Sequence, residues 1–168
     1  MARQKIVAGN WKMNKTIAEG NDLVQSVLSK NLDVATTVVF ATPFVHLTAV
    51  AGLLKGQKHA HLAAQNVHQE EKGAFTGEVS ADMLVAAGCE FVIVGHSERR
   101  QYFGETNAQL AQKVDICLKK GLKPIFCCGE PLSIREKGKH VTFVAKQLKE
   151  SLFHLTDDQI KGFVIAYE

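Results

Sequence analysis

The feature that most constrains this chain is an alternation repeated along its length. Strand-like runs occur at Lys5–Gly9, Thr37–Ala41, His59–Gln65, Phe91–Val94, Leu122–Cys128 and Gly162–Tyr167, and the stretches between them space their apolar residues as helices do. Phe91–Val94 is apolar at all four positions, the mark of a strand covered on both faces rather than one with a wet side. Parallel neighbours need a crossover of about a dozen residues or more, which a helix supplies. Strand and helix repeated five times, followed by a sixth strand, therefore predict a parallel sheet under helices.

Local signals place the helix ends. Thr16 with Glu19 three residues on reads as a capping box, Ser80 as an N-cap, and Gly56, Gly88 and Gly121 as stops. An open doubly wound sheet and a closed barrel both fit this order. The glycine-rich dinucleotide fingerprint is absent after the first run, which counts against a nucleotide-binding sheet. Polar, chemistry-bearing residues follow runs one, four, five and six, always at the carboxyl end. One site fed by many strand ends is the habit of a (β/α) barrel.

Composition removes several classes of function. The chain has 168 residues, 46% of them hydrophobic, enough for one core and a single domain over residues 1–168. A formal net charge of +3 is too small to argue for nucleic acid, but local lysines and arginines could meet a small anion. Cys89, Cys117, Cys127 and Cys128 lack zinc-ligand spacing, and the last two are adjacent. Reduced thiols in a cytoplasmic protein are expected, with no metal. No run has signal-peptide character or membrane-spanning length, so no membrane partner is expected. The Asn14-Lys15-Thr16 sequon reads as chance.

The segment richest in chemistry is Phe91–Arg100, where four apolar residues give way at Gly95 to His96, Ser97, Glu98, Arg99 and Arg100. His96 is the first side chain aimed out of the strand, although an ordinary surface loop would read the same. Lys12 after the first run and Glu168 after the sixth complete a set suited to taking a weakly acidic proton from carbon. That chemistry needs a desolvated base and preorganised donors for the oxyanion that develops. Plainer readings stand beside it: Lys12 as a solvated lysine, Glu98 and Arg99 as a surface ion pair, Glu168 as a bare terminal carboxylate and Cys127 as a packing residue.

Taken together these motifs carry a resemblance. Ala8-Gly9-Asn10-Trp11-Lys12-Met13-Asn14, Val94-Gly95-His96-Ser97-Glu98-Arg99-Arg100, Cys127-Cys128-Gly129-Glu130 and Ala166-Tyr167-Glu168 resemble strand endings of the triosephosphate isomerase family. Gly73-Ala74-Phe75-Thr76-Gly77-Glu78 is similar to the family's intersubunit loop. The resemblance implies interconversion of dihydroxyacetone phosphate and glyceraldehyde 3-phosphate through an enediolate, without metal or organic cofactor, in a homodimer. Triosephosphate isomerase is itself the standard case of a carboxylate base paired with a neutral histidine electrophile. Carried over by motif, Glu168 would be the base, His96 would polarise the carbonyl, and Lys12 would bind and neutralise the anionic substrate. Asn10 would hydrogen-bond the substrate, Ser97 would open the short helix behind His96, and Glu98 would hold Lys12 or shuttle between partners. Cys127 would pack behind Glu168, and Phe75 and Thr76 would reach a second subunit.

The family fold is a (β/α)8 TIM barrel of about 250 residues, and this chain carries runs matching strands 1–6. An incomplete barrel is therefore expected, lacking the lid and the last two strand-end loops that often hold phosphate. Unpaired edges on strands one and six would make the isolated chain aggregation-prone or molten, and inactive. The alternative role is a catalytically inactive barrel fragment acting only as an assembly piece. A sugar-phosphate aldolase is disfavoured because the sixth run ends without a lysine for a Schiff base.

Overall fold

The computed structural model describes residues 4–30 and 32–168. Six strands form one parallel sheet in sequence order: β1 (Lys5–Asn10), β2 (Thr36–Thr42), β3 (Ala60–Ala64), β4 (Phe91–Val94), β5 (Lys123–Cys128) and β6 (Val164–Tyr167). Each strand pairs only with its sequence neighbours, the pattern of a (β/α) barrel built from strands 1–6. The sheet does not close, because among the described residues β1 pairs only with β2 and β6 only with β5. The register keeps functional ends level, with Asn10 opposite Ala41, Val94 opposite Phe126 and Cys128 opposite Tyr167.

The helices are α1 (Ile17–Leu28), α2 (Leu47–Leu54), α3 (Ala81–Ala86), α4 (Ser97–Tyr102), α5 (Asn107–Lys119), α6 (Leu132–Glu136), α7 (His140–Leu152) and α8 (Asp157–Ile160). Thr16 forms the expected capping box with Glu19, and the Ser80 side chain accepts from the Met83 N–H. Gly56, Gly88 and Gly121, the three expected stops, all have positive φ, the conformation that ends helices at low cost for glycine. The lysine- and glutamate-rich stretch after β5 divides into α6 and α7 at Gly138, whose φ is +65. A capping box of Thr156 and Gln159 starts the short α8, which the sequence reading did not single out.

Strand side chains alternate between two layers. Phe40, Leu62, Val92, Val94 and Phe126 face the helices and pack with Val24, Val50, Leu84, Leu110 and Val114. Val39, Ala41, Ala63, Phe91, Ile93 and Ile125 form a smaller inner cluster on the opposite face, flanked by Ile6, Val164 and Ala166. This double burial explains the unbroken apolar runs. The exceptions sit at the edges: Val7 on β1 is 61% exposed and Ile165 on β6 is 45% exposed. Among the described residues, no helix is long and apolar enough to cross a membrane.

Candidate active site

The carboxyl end of β1 is held by bonds that the local sequence does not announce. Trp11 N donates to Ala41 O at 2.9 Å and extends the ladder. The chain then turns sharply at Lys12, whose φ is +53. Lysine gains nothing from that region, and such a residue persists only where its surroundings over-determine it. Here the Asn10 carboxamide oxygen accepts from Lys12 N at 3.0 Å, and Gln65 Nε2 donates to Lys12 O and to Ala41 O, each at 3.0 Å. Asn10 thus spends its acceptor on the Lys12 main chain, which leaves its amide N–H groups for any ligand. Gln65 was not among the residues the sequence singled out. Its signal, a carboxamide just past the end of β3, is too common to notice.

Fixed in this way, the Lys12 ammonium meets Glu98 at 2.7 Å. The hydrogen bond and charge of Glu98 raise the Lys12 pKa, and the charge of Glu168 adds to the effect. Glu98 is held below the usual carboxylate range chiefly by the hydrogen bond from Lys12, with the Lys12 charge assisting against burial. Both side chains are substantially exposed, so an incoming anion could draw Lys12 away from Glu98 at modest cost.

His96 caps α4, and Gly95 before it makes the turn possible. Gly95 has φ +78, and a Cβ there would lie 3.0 Å from Arg100 Nη2 and from Leu110 Cδ1. The His96 Nδ1 accepts from the Glu98 N–H at 3.2 Å. A backbone donor facing Nδ1 leaves the neutral ring's proton on Nε2. A Glu98 carboxylate oxygen also lies 3.5 Å from Nδ1. With Nδ1 taken by the Glu98 N–H, the donor left to a neutral His96 ring is Nε2–H.

Glu168 stands at the end of β6, with its N–H on Cys128 O at 3.0 Å. Ser97 Oγ donates to Glu168 Oε2 at 2.9 Å. The first turn of α4 thereby links the two halves of the candidate set, with His96, Glu98 and Lys12 on one side and Glu168 on the other. Behind them Arg100 ties three elements together, donating to Gly95 O at 2.7 Å, to Asn107 Oδ1 at 2.7 Å and to Cys127 O at 3.0 Å. The Cys127 thiol is pushed up to about 11 by burial, against the pull of Arg100. It stays protonated at neutral pH and packs beneath the site. Cys89 and Cys117 are pushed up to about 12 by burial, and all four cysteines are free thiols.

A cleft of about 470 Å³ opens beside these residues, lined in part by Ser97, Arg100, Cys127, Phe143 and Glu168. Neither His96 nor Lys12 lines it, so it adjoins the polar cluster rather than coinciding with it. Phe75 and Thr76 lie apart, on the long loop after β3. Phe75 stacks on His68 of the same loop, with ring centroids 4.3 Å apart, yet it remains 43% exposed. Its position at the loop tip therefore has a partial explanation within the chain.

A family model described as triosephosphate isomerase matches residues 5–168. Curated relatives of that name are similar over nearly the whole chain. The protein of Cytophaga hutchinsonii is 52% identical over 169 residues, covering 99% of this chain and 66% of the relative. That of Acetivibrio thermocellus is 51% identical over 168 residues, covering 100% and 66%. That of Amoebophilus asiaticus is 46% identical over 170 residues, covering 99% and 67%. The chain spans about two thirds of the length of the curated relatives it matches.

Proposed function

The chain belongs to the triosephosphate isomerase family, and from that premise we propose that its site interconverts dihydroxyacetone phosphate and glyceraldehyde 3-phosphate. Glu168 takes a proton from the carbon beside the carbonyl, and the electrons of the broken C–H bond move into an enediolate. Glu168 returns the proton to the neighbouring carbon, and the hydroxyl proton passes from the oxygen that becomes the new carbonyl to the oxygen that becomes the new hydroxyl. His96, neutral with its proton on Nε2, donates a hydrogen bond to the oxygen on which negative charge grows. Lys12 leaves Glu98 to neutralise the substrate anion, and the free amide N–H of Asn10 adds a donor. Neither metal nor organic cofactor enters these steps. The observation that carries the reading is the tautomer-fixing bond from Glu98 N–H to His96 Nδ1, on the same helical turn that binds Glu168 through Ser97.

We propose further that the 168-residue chain alone does not turn over substrate. Among the described residues β1 and β6 each have one edge without a partner strand, and the chain spans about two thirds of its relatives' length. On this reading the isolated chain serves at most as an assembly piece, and the working enzyme is a cytoplasmic homodimer joined through the loop carrying Phe75 and Thr76.

The test joins this chain to the last third of the Cytophaga hutchinsonii relative and follows conversion of glyceraldehyde 3-phosphate. Activity that resists a chelator and is abolished by Glu168→Gln is the expected result. Activity that a chelator removes and a divalent metal restores, or that survives Glu168→Gln, would overturn the assignment.

A further inference from the structure

Gln147 belongs to α7 and lines the wall of the cleft that also holds Ser97 and Glu168. It is 6% exposed. Its neighbours on the same helix, Val144, Leu148 and Leu152, pack into the apolar core, and an apolar side chain would suit the position by packing alone. Instead the carboxamide closes a two-bond ring on one residue: Gln147 Oε1 accepts from Gly129 N, and Gln147 Nε2 donates to Gly129 O, each at 3.0 Å. Gly129 is the first residue past β5, where the ladder no longer holds the main chain, and a side chain has taken over that task.

What Gly129 supports is the candidate base. A Cβ on Gly129 would lie 3.3 Å from Glu168 N and 3.2 Å from its main-chain carbon. A side chain there would crowd the main chain of Glu168, which rests on the bare face of Gly129. The next residues repeat the pairing, because Tyr167 Oη donates to the Glu130 carboxylate at 2.9 Å and Arg135 Nη1 donates to Glu130 Oε1 at 2.9 Å. The Gly129 main chain and the Glu130 side chain thus meet residues 167–168, and Gln147 sets the orientation of residue 129.

We propose that Gln147 is a positioning residue for Glu168, acting through the Gly129 peptide to fix where the carboxylate meets the substrate carbon. This rests on the isomerase reading above. A base displaced by about 1 Å can lose on the order of a hundredfold in rate while binding is spared. The near-isosteric Gln147→Met keeps the packing and removes both bonds. Gly129→Ala leaves Gln147 intact and pushes the Glu168 main chain directly.

Two measurements separate the outcomes. In the isomerase assay with the joined chain described above, both variants are expected to lower kcat about tenfold to a hundredfold, with KM within about twofold of the parent. In the same joined chain, Gln147→Met is expected to speed amide exchange at Gly129 and Glu168 at least about tenfold, with the amides of Phe40 and Ile93 unchanged. Unchanged kcat, a change in KM alone, or protection lost evenly across the sheet would each overturn the proposal, the last by showing a merely structural role. If the parent shows no isomerase activity, the functional reading fails. The exchange pattern then decides by itself whether Gln147 anchors Glu168.

Discussion

Lys113 on α5 is, among the described residues, the one lysine with its side chain almost wholly inside, at 4% exposure. Its ammonium donates to Glu105 Oε1 at 2.6 Å and to Asn66 Oδ1 at 2.8 Å, and Arg99 Nε donates to the same Glu105 oxygen at 2.6 Å. Burial pushes the Glu105 pKa up, but the hydrogen bonds and charges of Lys113 and Arg99 outweigh it and hold the carboxyl below its ordinary 4.5. Glu105 Oε2 already lacks a protein partner. Lys113→Met removes one charge-assisted bond, about 1.5–3 kcal/mol, and strands the Asn66 oxygen, about 1–3 kcal/mol. The sum agrees with the roughly 3–5 kcal/mol lost when one partner of a buried ion pair is deleted. For a chain of this length that is a fall in Tm of about 6–20 °C. The sign of the pH dependence follows. In the parent, the folded-state pKa of Glu105 is depressed, so its stabilisation is full above 4.5 and fades as the pH falls through the lowered value. In Lys113→Met only Arg99 still opposes burial, so the Glu105 pKa moves up from its depressed position and ionisation stabilises the variant less than the parent. The stability difference between parent and variant should therefore be largest at pH 7 and narrow towards pH 4 in urea titrations. Lys113→Met/Glu105→Leu should be more stable than Lys113→Met alone, since the most deeply buried charge is gone and Arg99, with a quarter of its side chain exposed, can turn to water. A loss under about 1 kcal/mol, or a difference that widens in acid, would refute this account.

Three further predictions concern the proposed site and assembly. Glu168→Asp in the joined chain should lower turnover by about a hundredfold with little change in KM, because the carboxylate retreats by about one methylene; a loss confined to KM would contradict its role as base. Replacing Phe75 and Thr76 together with aspartate should give monomers in sedimentation, since charge at a covered loop tip opposes association; an undisturbed dimer would remove the loop from the interface. The 168-residue chain, shown by mass to contain nothing more, should have no measurable isomerase activity and should associate through its free edges; near-normal turnover from a monomeric preparation would show that the open sheet is sufficient.

The sequence by itself determined the order and kind of the main elements, because those signals are local. Phe91–Val94, the Thr16 capping box and the glycines that end helices each specify their own conformation whatever lies elsewhere. The motif ends His96, Ser97 and Glu168 were legible for the same reason, since each directly follows or opens an element whose boundary the sequence marks. Only the tertiary structure decided what those ends touch. The positive φ of Lys12 depends on Gln65, fifty-three residues away in the chain, and no property of lysine announces it. Lys113 and Glu105 read as two charges of an ordinary helix and loop until the fold closes over them and removes the water that would have solvated them. Gln147 looks like a helix-surface glutamine until α7 packs on β5 and turns its amide onto Gly129. A side chain's partner across the fold is set by the meeting of separate elements, and burial then makes each polar contact matter. Neither is encoded in any one stretch of the chain.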